Sequence, residues 1–226
     1  MPFLARLPEQ IENGQTRRDR DVSGGDADRA SSALLTGVSR QAYPQTRAKM
    51  PHAFFTIGHS NRSVDEFVEL LKEAEIDLVV DVRTVTRSRS NPQFNAEPLR
   101  AALEKNQIGY VHLPALGGLR GKSRVISRSL NAFWQNESFR NYADYATTPE
   151  FRQGLEELMS LGKRHRVVIM CAEAVWWRCH RRIIADYLLD AGRQVFHIMG
   201  HGSIKPAQMT PAARPGPHGT LTYPVP

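Results

Sequence analysis

The chain contains few cysteines and no long apolar segment, and both absences exclude classes of protein. Cys171 and Cys179 are its only two cysteines, too few for a secreted fold held together by disulfides. No stretch approaches the roughly 18 consecutive apolar residues that a membrane helix needs. The first residues also lack the apolar core of a signal peptide. We therefore expect a cytoplasmic protein that does not associate with a membrane.

Several ligand-binding motifs are missing as well. The chain has neither the glycine-rich loop of Walker-type phosphate sites nor the G-x-G-x-x-G turn of dinucleotide-binding folds. It has no closely spaced pair such as C-x-x-C, which is typical of zinc sites. Cys171, Cys179, His180 and His59 could supply metal ligands, but this spacing does not favour a metal site. The sequence therefore assigns no metal ligands, leaves metal binding at the Cys/His cluster open and identifies no cofactor.

The composition is that of a globular protein with one domain. The chain has 226 residues, of which 41% are hydrophobic and 23% charged. Residues 1–50 show no sustained apolar period, so we expect a disordered tail, or a segment that lies upstream of a true start at Met50. Residues 51–226 are predicted to form a single α/β domain with an irregular, proline-rich C-terminal segment.

Short apolar runs alternate with helical patterns along this domain. Ser63 and Glu66 form a capping box at the start of the first helix, and Thr148 followed by Pro149 starts another. Strands that alternate with helices predict a mostly parallel five-stranded sheet with helices on both faces. The loops that follow the strands then meet at the C-terminal edge of the sheet, where such folds bind ligands. The predicted strands are FFTIG (54–58), IDLVVDV (76–82), IGYVHL (108–113), RVVIMC (166–171) and RQVFHIM (193–199).

The basic residues are concentrated in three of these loops. The formal net charge is +7, and no acidic residue occurs in 83–94, 114–136 or 174–185. Arginines from several loops at one edge favour an anion site, so the expected partner is a phosphorylated small molecule or a nucleic acid. The candidate ligand-binding residues are Ser60, Arg83, Gly117, Gly118, Arg120, Arg178, Arg181 and His197.

The segment CAEAVWWRCHRR (171–182) is the most specific signal. Cys179 lies at a predicted helix start beside arginines, where the helix dipole and the positive charges lower the pKa of a thiol. Cys171 ends a buried strand and is the other possible nucleophile. Histidine and glutamate are the acid and base candidates. The candidate catalytic residues are His59, Cys171, Glu173, Cys179 and His180.

These motifs resemble the domain of unknown function 488, an uncharacterised family. The resemblance runs from about Phe55 to Tyr223, and Thr86 and Trp176 stand where the family commonly has proline. It implies functional positions at His59, Asp81, Arg83, Gly117, Gly118, Cys171, Glu173, Cys179, His180, Arg181 and His197. It is carried by TIGHSN (56–61), VVDVRT (79–84), RSRSNPQFN (87–95), YVHLPALGGLRG (110–121), MCAEAVWWRCHRRIIAD (170–186) and LTYP (221–224).

Three functions remain open at this point. The leading hypothesis is an enzyme acting on a phosphorylated ligand such as a nucleotide or a nucleic-acid end, which requires His and Cys side chains in a deep pocket. The second is a non-catalytic nucleic-acid-binding module, which requires a flat basic surface with exposed aromatics such as Trp176 and Trp177. The third is a rhodanese-like sulfur-transfer or thiol-redox protein, which requires the two thiols to be close together.

Overall fold

A computed structural model describes residues 53–225, so the expectations for the first 50 residues lie outside the described part. Six strands form one sheet in the order β3-β2-β4-β1-β5-β6. The first five strands along the chain pair in parallel, and β6 is antiparallel to β5. The strands are β1 (Phe54–Gly58), β2 (Leu78–Asp81), β3 (Gly109–His112), β4 (Val167–Cys171), β5 (Val195–Gly200) and β6 (Ser203–Pro206).

Five helices lie between the strands of this part of the chain, and two of them have the predicted caps. The Ser63 side chain accepts a hydrogen bond from the backbone N–H of Glu66, and Thr148 accepts one from Phe151. These bonds satisfy donors that have no partner inside the first helical turn. The helices are α1 (Val64–Glu73), α2 (Ala96–Glu104), α3 (Glu137–Tyr145), α4 (Pro149–Gly162) and α5 (Arg181–Asp190).

The buried side chains form two clusters on opposite faces of the sheet. Successive residues of a strand point to opposite faces, so Val79 and Val80 of β2 belong to different clusters. One cluster includes apolar residues of α1 and α2, and the other includes residues of α3, α4 and α5. Helices therefore cover both faces, as the α/β pattern predicts.

The predicted number of strands is wrong. The chain turns at Gly202, whose φ of 61° is in the left-handed region, and β6 returns along β5. A second, two-stranded sheet pairs β7 (Arg214–Pro215) with β8 (Leu221–Thr222). Pro206 and Pro215, which end β6 and β7, gave the C-terminal segment an irregular sequence pattern that hid its β-structure.

Among residues 53–225, none of the helices has the length and apolar character required to cross a membrane.

Candidate functional site

The ends of β2 and β4 bring the loops after them together. These strands are neighbours in parallel register, with Asp81 opposite Met170, so both chains leave the sheet at the same edge. A cavity of about 270 Å³ lies between these loops and the loop that follows β3. Its lining residues are Arg83, Thr84, Val85, Gly118, Leu119, Ser138, Phe139, Cys171, Ala172, Glu173, Arg178, Cys179 and His180.

Two thiols and an imidazole converge on the wall of this cavity. The Nδ1 atom of His180 lies 3.6 Å from the Sγ atom of Cys179 and 3.9 Å from that of Cys171. The two sulfurs and Nδ1 all lie within 4.8 Å of one another. Cys171 is the last residue of β4 and Cys179 precedes α5 by two positions, so the loop between them folds back on itself. We call these three residues the Cys–His cluster.

The two thiols are both free and buried but differ in acidity. Burial by itself would raise the pKa of Cys179. The hydrogen bond from Cys171, the electrostatic interaction with His180 and the positive charge of Arg181 outweigh burial and hold this pKa well below its usual range. The hydrogen bond to Cys179, together with burial, raises the pKa of Cys171. Cys179 is therefore the more acidic of the two thiols.

The loop after β3 holds the ring of His180. A Cβ atom on Gly118 would lie only 2.4 Å from Nδ1 of His180, so a side chain at this position would displace the ring. At Gly117 a Cβ would lie 2.4 Å from Oγ1 of Thr84. The absence of side chains at Gly117 and Gly118 therefore lets this loop approach the loops after β2 and β4 closely.

Asp81 and Arg83 form a buried ion pair at the end of β2. The guanidinium donates to both carboxylate oxygens, with Nη2 2.6 Å from Oδ2, and the backbone N–H of Arg83 also donates to Oδ1. The hydroxyl of Tyr110 donates to the same carboxylate over 2.8 Å. Asp81 raises the pKa of Arg83 in spite of burial. Asp81 therefore has the buried partner that a carboxylate at a strand end requires.

His59 and His197 are buried and are not among the lining residues of the cavity. His59 stacks on Phe94 with a centroid distance of 4.3 Å, and its Nε2 lies 3.2 Å from Nη1 of Arg83. His197 hydrogen-bonds Thr56 and stacks on Trp176 at 4.4 Å. These contacts give both histidines packing roles and make Trp176 the anchor of its loop.

Both histidines should make the stability of the protein sensitive to acid. Burial, with a smaller effect of Arg83 at His59 and of Arg181 at His197, lowers each pKa to about 4. Because these values are below that of an unfolded histidine, the stabilisation is complete above about pH 6.5 and is lost as the pH falls towards 4. The free energy of unfolding should fall by about 2 kcal/mol per histidine between about pH 7 and pH 5.

Urea denaturation at several pH values measures this loss. In the variant His197→Gln the decrease in the free energy of unfolding should be about half that of the wild type. In His165→Gln, which replaces an exposed histidine, the decrease should equal that of the wild type. A wild-type protein equally stable over this range would contradict the burial of neutral histidines.

Among the candidate arginines, Arg181 and Arg120 already donate hydrogen bonds to protein groups, whereas Arg178 does not within residues 53–225. Arg181 donates to Cys179 Sγ over 3.3 Å and to the carbonyl of Glu173. Arg120 donates to carbonyls of its own loop and stacks over the Tyr145 ring at 3.7 Å. Arg178 is exposed, and its side chain makes no hydrogen bond or ion pair with any residue of the described part of the chain.

Of the remaining candidates, Glu173 lines the cavity and Ser60 does not. Glu173 is exposed on the cavity wall, and its side chain faces no hydrogen-bond partner among residues 53–225. Ser60 has a positive φ of 52° and hydrogen-bonds only Asn61 through its side chain within that same range. Ser60 therefore shapes the turn after β1 and does not line the cavity.

Sequence reasoning missed six lining residues, Thr84, Val85, Leu119, Ser138, Phe139 and Ala172. Thr84, Val85, Leu119 and Ala172 follow predicted residues in the same loops, and their positions beside Arg83, Gly118 and Cys171 were a usable signal. Ser138 and Phe139 come from α3, which is separated from the end of β3 by a long loop, so the rule that ligands lie at strand ends gives no reason to expect them.

The fold and the site define an α/β protein with a thiol–imidazole cluster at the C-terminal edge of its sheet. The chain matches the model of the family described as "Domain of unknown function DUF488" over residues 63–188, which is more than half of its length. It belongs to this family, as the resemblance of its motifs indicates. No curated protein and no solved structure matches the chain.

Proposed function

We propose that this protein is an enzyme that acts on a phosphorylated ligand, such as a nucleotide or a nucleic-acid end, bound in the cavity of the Cys–His cluster. One observation carries the proposal. The reactive side chains of the cluster and the unpaired guanidinium of Arg178 line the same cavity. A reactive centre next to an unused positive charge is the arrangement expected where an anionic substrate is converted.

Arg178 is the residue best placed to bind the phosphoryl group. A guanidinium that already donates to protein acceptors has fewer N–H groups for a ligand, as is the case for Arg83 and Arg181. These two arginines keep the loops in place. Arg178 keeps its full fork of donors, which suits the oxygens of a phosphate.

The rest of the cavity suits a small organic group attached to the phosphate. Its volume of about 270 Å³ is close to the lower end of small-molecule sites. Val85, Leu119 and Phe139 provide apolar and aromatic surface against which a base or a sugar can pack. Glu173 is the carboxylate on the wall and is the proposed proton donor or acceptor.

Reversing the charge of Arg178 should weaken ligand binding without changing the fold. Loss of a hydrogen bond to a charged group costs about 1.5–3 kcal/mol, so Arg178→Glu should reduce affinity by about 10- to 100-fold. Calorimetric titration with inorganic phosphate, nucleoside monophosphates and a short single-stranded DNA measures this change. Arg164→Glu is the matched control, because Arg164 is exposed and precedes β4 at the opposite edge of the sheet.

The outcomes of this titration separate the proposed functions. The enzyme proposal expects the control to bind like the wild type and Arg178→Glu to lose affinity for the nucleotide. Equal affinity of both variants for every probe would contradict the proposed role of Arg178. Binding of the DNA alone, with a steep dependence on salt, would instead support a nucleic-acid-binding module.

The proximity of the two sulfurs supports a second candidate, a thiol-redox protein. The Sγ atoms of Cys171 and Cys179 lie within 4.8 Å of each other. A disulfide substrate could oxidise the pair, with one S–S bond formed in the protein and two thiols released from the substrate. The intact mass of protein incubated with oxidised glutathione distinguishes the two candidates. A loss of two hydrogens that dithiothreitol reverses supports redox chemistry, and an unchanged mass opposes it.

A further inference from the structure

We propose that Cys171, Cys179 and His180 bind a zinc ion through three protein ligands and that its fourth coordination position faces the cavity. The inference deepens the proposed function, on which its catalytic meaning rests, because it assigns a chemical role to the Cys–His cluster. Metal binding itself is measured without a substrate, so it can succeed or fail independently of that function.

The two sulfur–nitrogen distances match those of a tetrahedral zinc site, and all three donor atoms lie within 4.8 Å of one another. Zinc binds thiolate at about 2.3 Å and imidazole at about 2.0–2.1 Å, which at tetrahedral angles separates sulfur from nitrogen by about 3.6 Å. The two sulfur–nitrogen distances of the cluster are 3.6 and 3.9 Å. A zinc ion would therefore fit with small movements of the side chains.

The ring of His180 is oriented as a metal ligand. Its Nε2 lies 3.2 Å from the carbonyl oxygen of Val82. A carbonyl can only accept, so Nε2 carries the proton and the lone pair of Nδ1 points towards the two sulfurs. Zinc-binding histidines commonly donate their other ring N–H to a carbonyl in this way, which fixes the ring and its tautomer.

The charges of the cluster also favour a divalent cation. Two thiolates and a neutral imidazole carry a charge of about −2, which one Zn²⁺ neutralises inside a buried site. Binding would release to solvent whatever protons the two thiols hold. The N–H of Arg181 Nε, 3.3 Å from Cys179 Sγ, would remain as a hydrogen bond to the metal-bound sulfur. Sulfur and imidazole ligands suit zinc and not magnesium or calcium, which prefer oxygen.

The cavity supplies an open side to this site. All three ligands are among the residues that line it, and no fourth His, Cys, Asp or Glu joins the cluster within the described part of the chain. Three protein ligands with an open fourth position are typical of catalytic zinc, whereas structural zinc has four. The open position would hold a water or a ligand oxygen, and Glu173 and Arg178 lie on the same cavity wall.

Metal content and cobalt spectroscopy test the inference. Protein purified without chelators, or stripped and reloaded with zinc, should contain one zinc per chain by plasma mass spectrometry. Cobalt-loaded protein should show intense visible bands of a tetrahedral site and thiolate-to-cobalt charge transfer in the near ultraviolet. Cys171→Ser, Cys179→Ser and His180→Gln should each weaken zinc binding at least about 100-fold. His165→Gln, at the opposite edge of the sheet, should bind zinc like the wild type.

A second measurement on the wild-type protein remains decisive if a variant fails to fold. Zinc should slow the alkylation of both cysteines by iodoacetamide, and removal of zinc by a chelator should restore it, with Cys179 modified first. A reloaded wild type without stoichiometric zinc would overturn the inference, as would alkylation rates that zinc does not change. Zinc retained by Cys171→Ser and Cys179→Ser would place the metal elsewhere.

Discussion

Replacing Asp81 with Asn should lower the free energy of unfolding by about 3–5 kcal/mol, the cost of breaking one buried ion pair. Asp81 is fully buried and Arg83 is 6% exposed, so water cannot replace the lost partner. The carboxylate accepts hydrogen bonds from the guanidinium, from a backbone N–H and from the Tyr110 hydroxyl. An amide would turn donors towards a positive charge or leave its partners unsatisfied.

Urea denaturation near neutral pH measures this loss, and Asp190→Asn is the matched control. Asp190 ends α5 and is exposed, so removing its charge should change stability by less than about 0.5 kcal/mol. If Asp81→Asn were as stable as the control, the ion pair would not hold the loop after β2, and the support of the cavity by Arg83 would be refuted.

Introducing a methyl group at Gly118 should impair the Cys–His cluster. Its Cβ would lie 2.4–2.9 Å from three ring atoms of His180, closer than any real contact. The ring would have to move from its hydrogen bond to Val82, and the affinity for zinc should fall by about 10- to 100-fold, as it does when a ligand loses its support. Overpacking should also cost about 1–3 kcal/mol of stability.

Gly121→Ala is the control for this substitution because a Cβ there meets no atom within 4 Å. Both variants add one methyl group to the same loop, so they differ only in the contact with His180. Zinc titration and urea denaturation of the pair measure the two effects. Equal zinc affinity of Gly118→Ala and Gly121→Ala would show that the ring position does not matter for the cluster.

Much of the fold follows from local signals in the sequence. Buried parallel strands are continuous apolar runs, as in VVIM of β4, and helix starts carry their own caps at Ser63 and Thr148. The sequence also predicts which loops meet, because parallel strands all end at the same edge. The proximity of Arg83 to the segment after Cys171 follows from this rule alone.

Other features depend on packing that no local pattern encodes. The alternation of residues along β5 does not reveal that His197 stacks on Trp176 and does not line the cavity. A separation of seven residues between Cys171 and Cys179 matches no familiar metal motif, and only the fold of the loop brings the sulfurs together. Likewise, charge alone does not distinguish Arg178 from Arg83, since the difference lies in which guanidinium already has partners.

Capture of metabolites by the immobilised protein tests most directly that this cavity is the functional site. Zinc-loaded wild type and Gly121→Ala should enrich the same phosphorylated compounds from a cell extract, identified by mass spectrometry. Arg178→Glu and Gly118→Ala should lose them, because one removes the anion-binding group and the other disturbs the cluster. Enrichment of the same compounds by all four proteins, or of no phosphorylated compound by the wild type, would contradict the account.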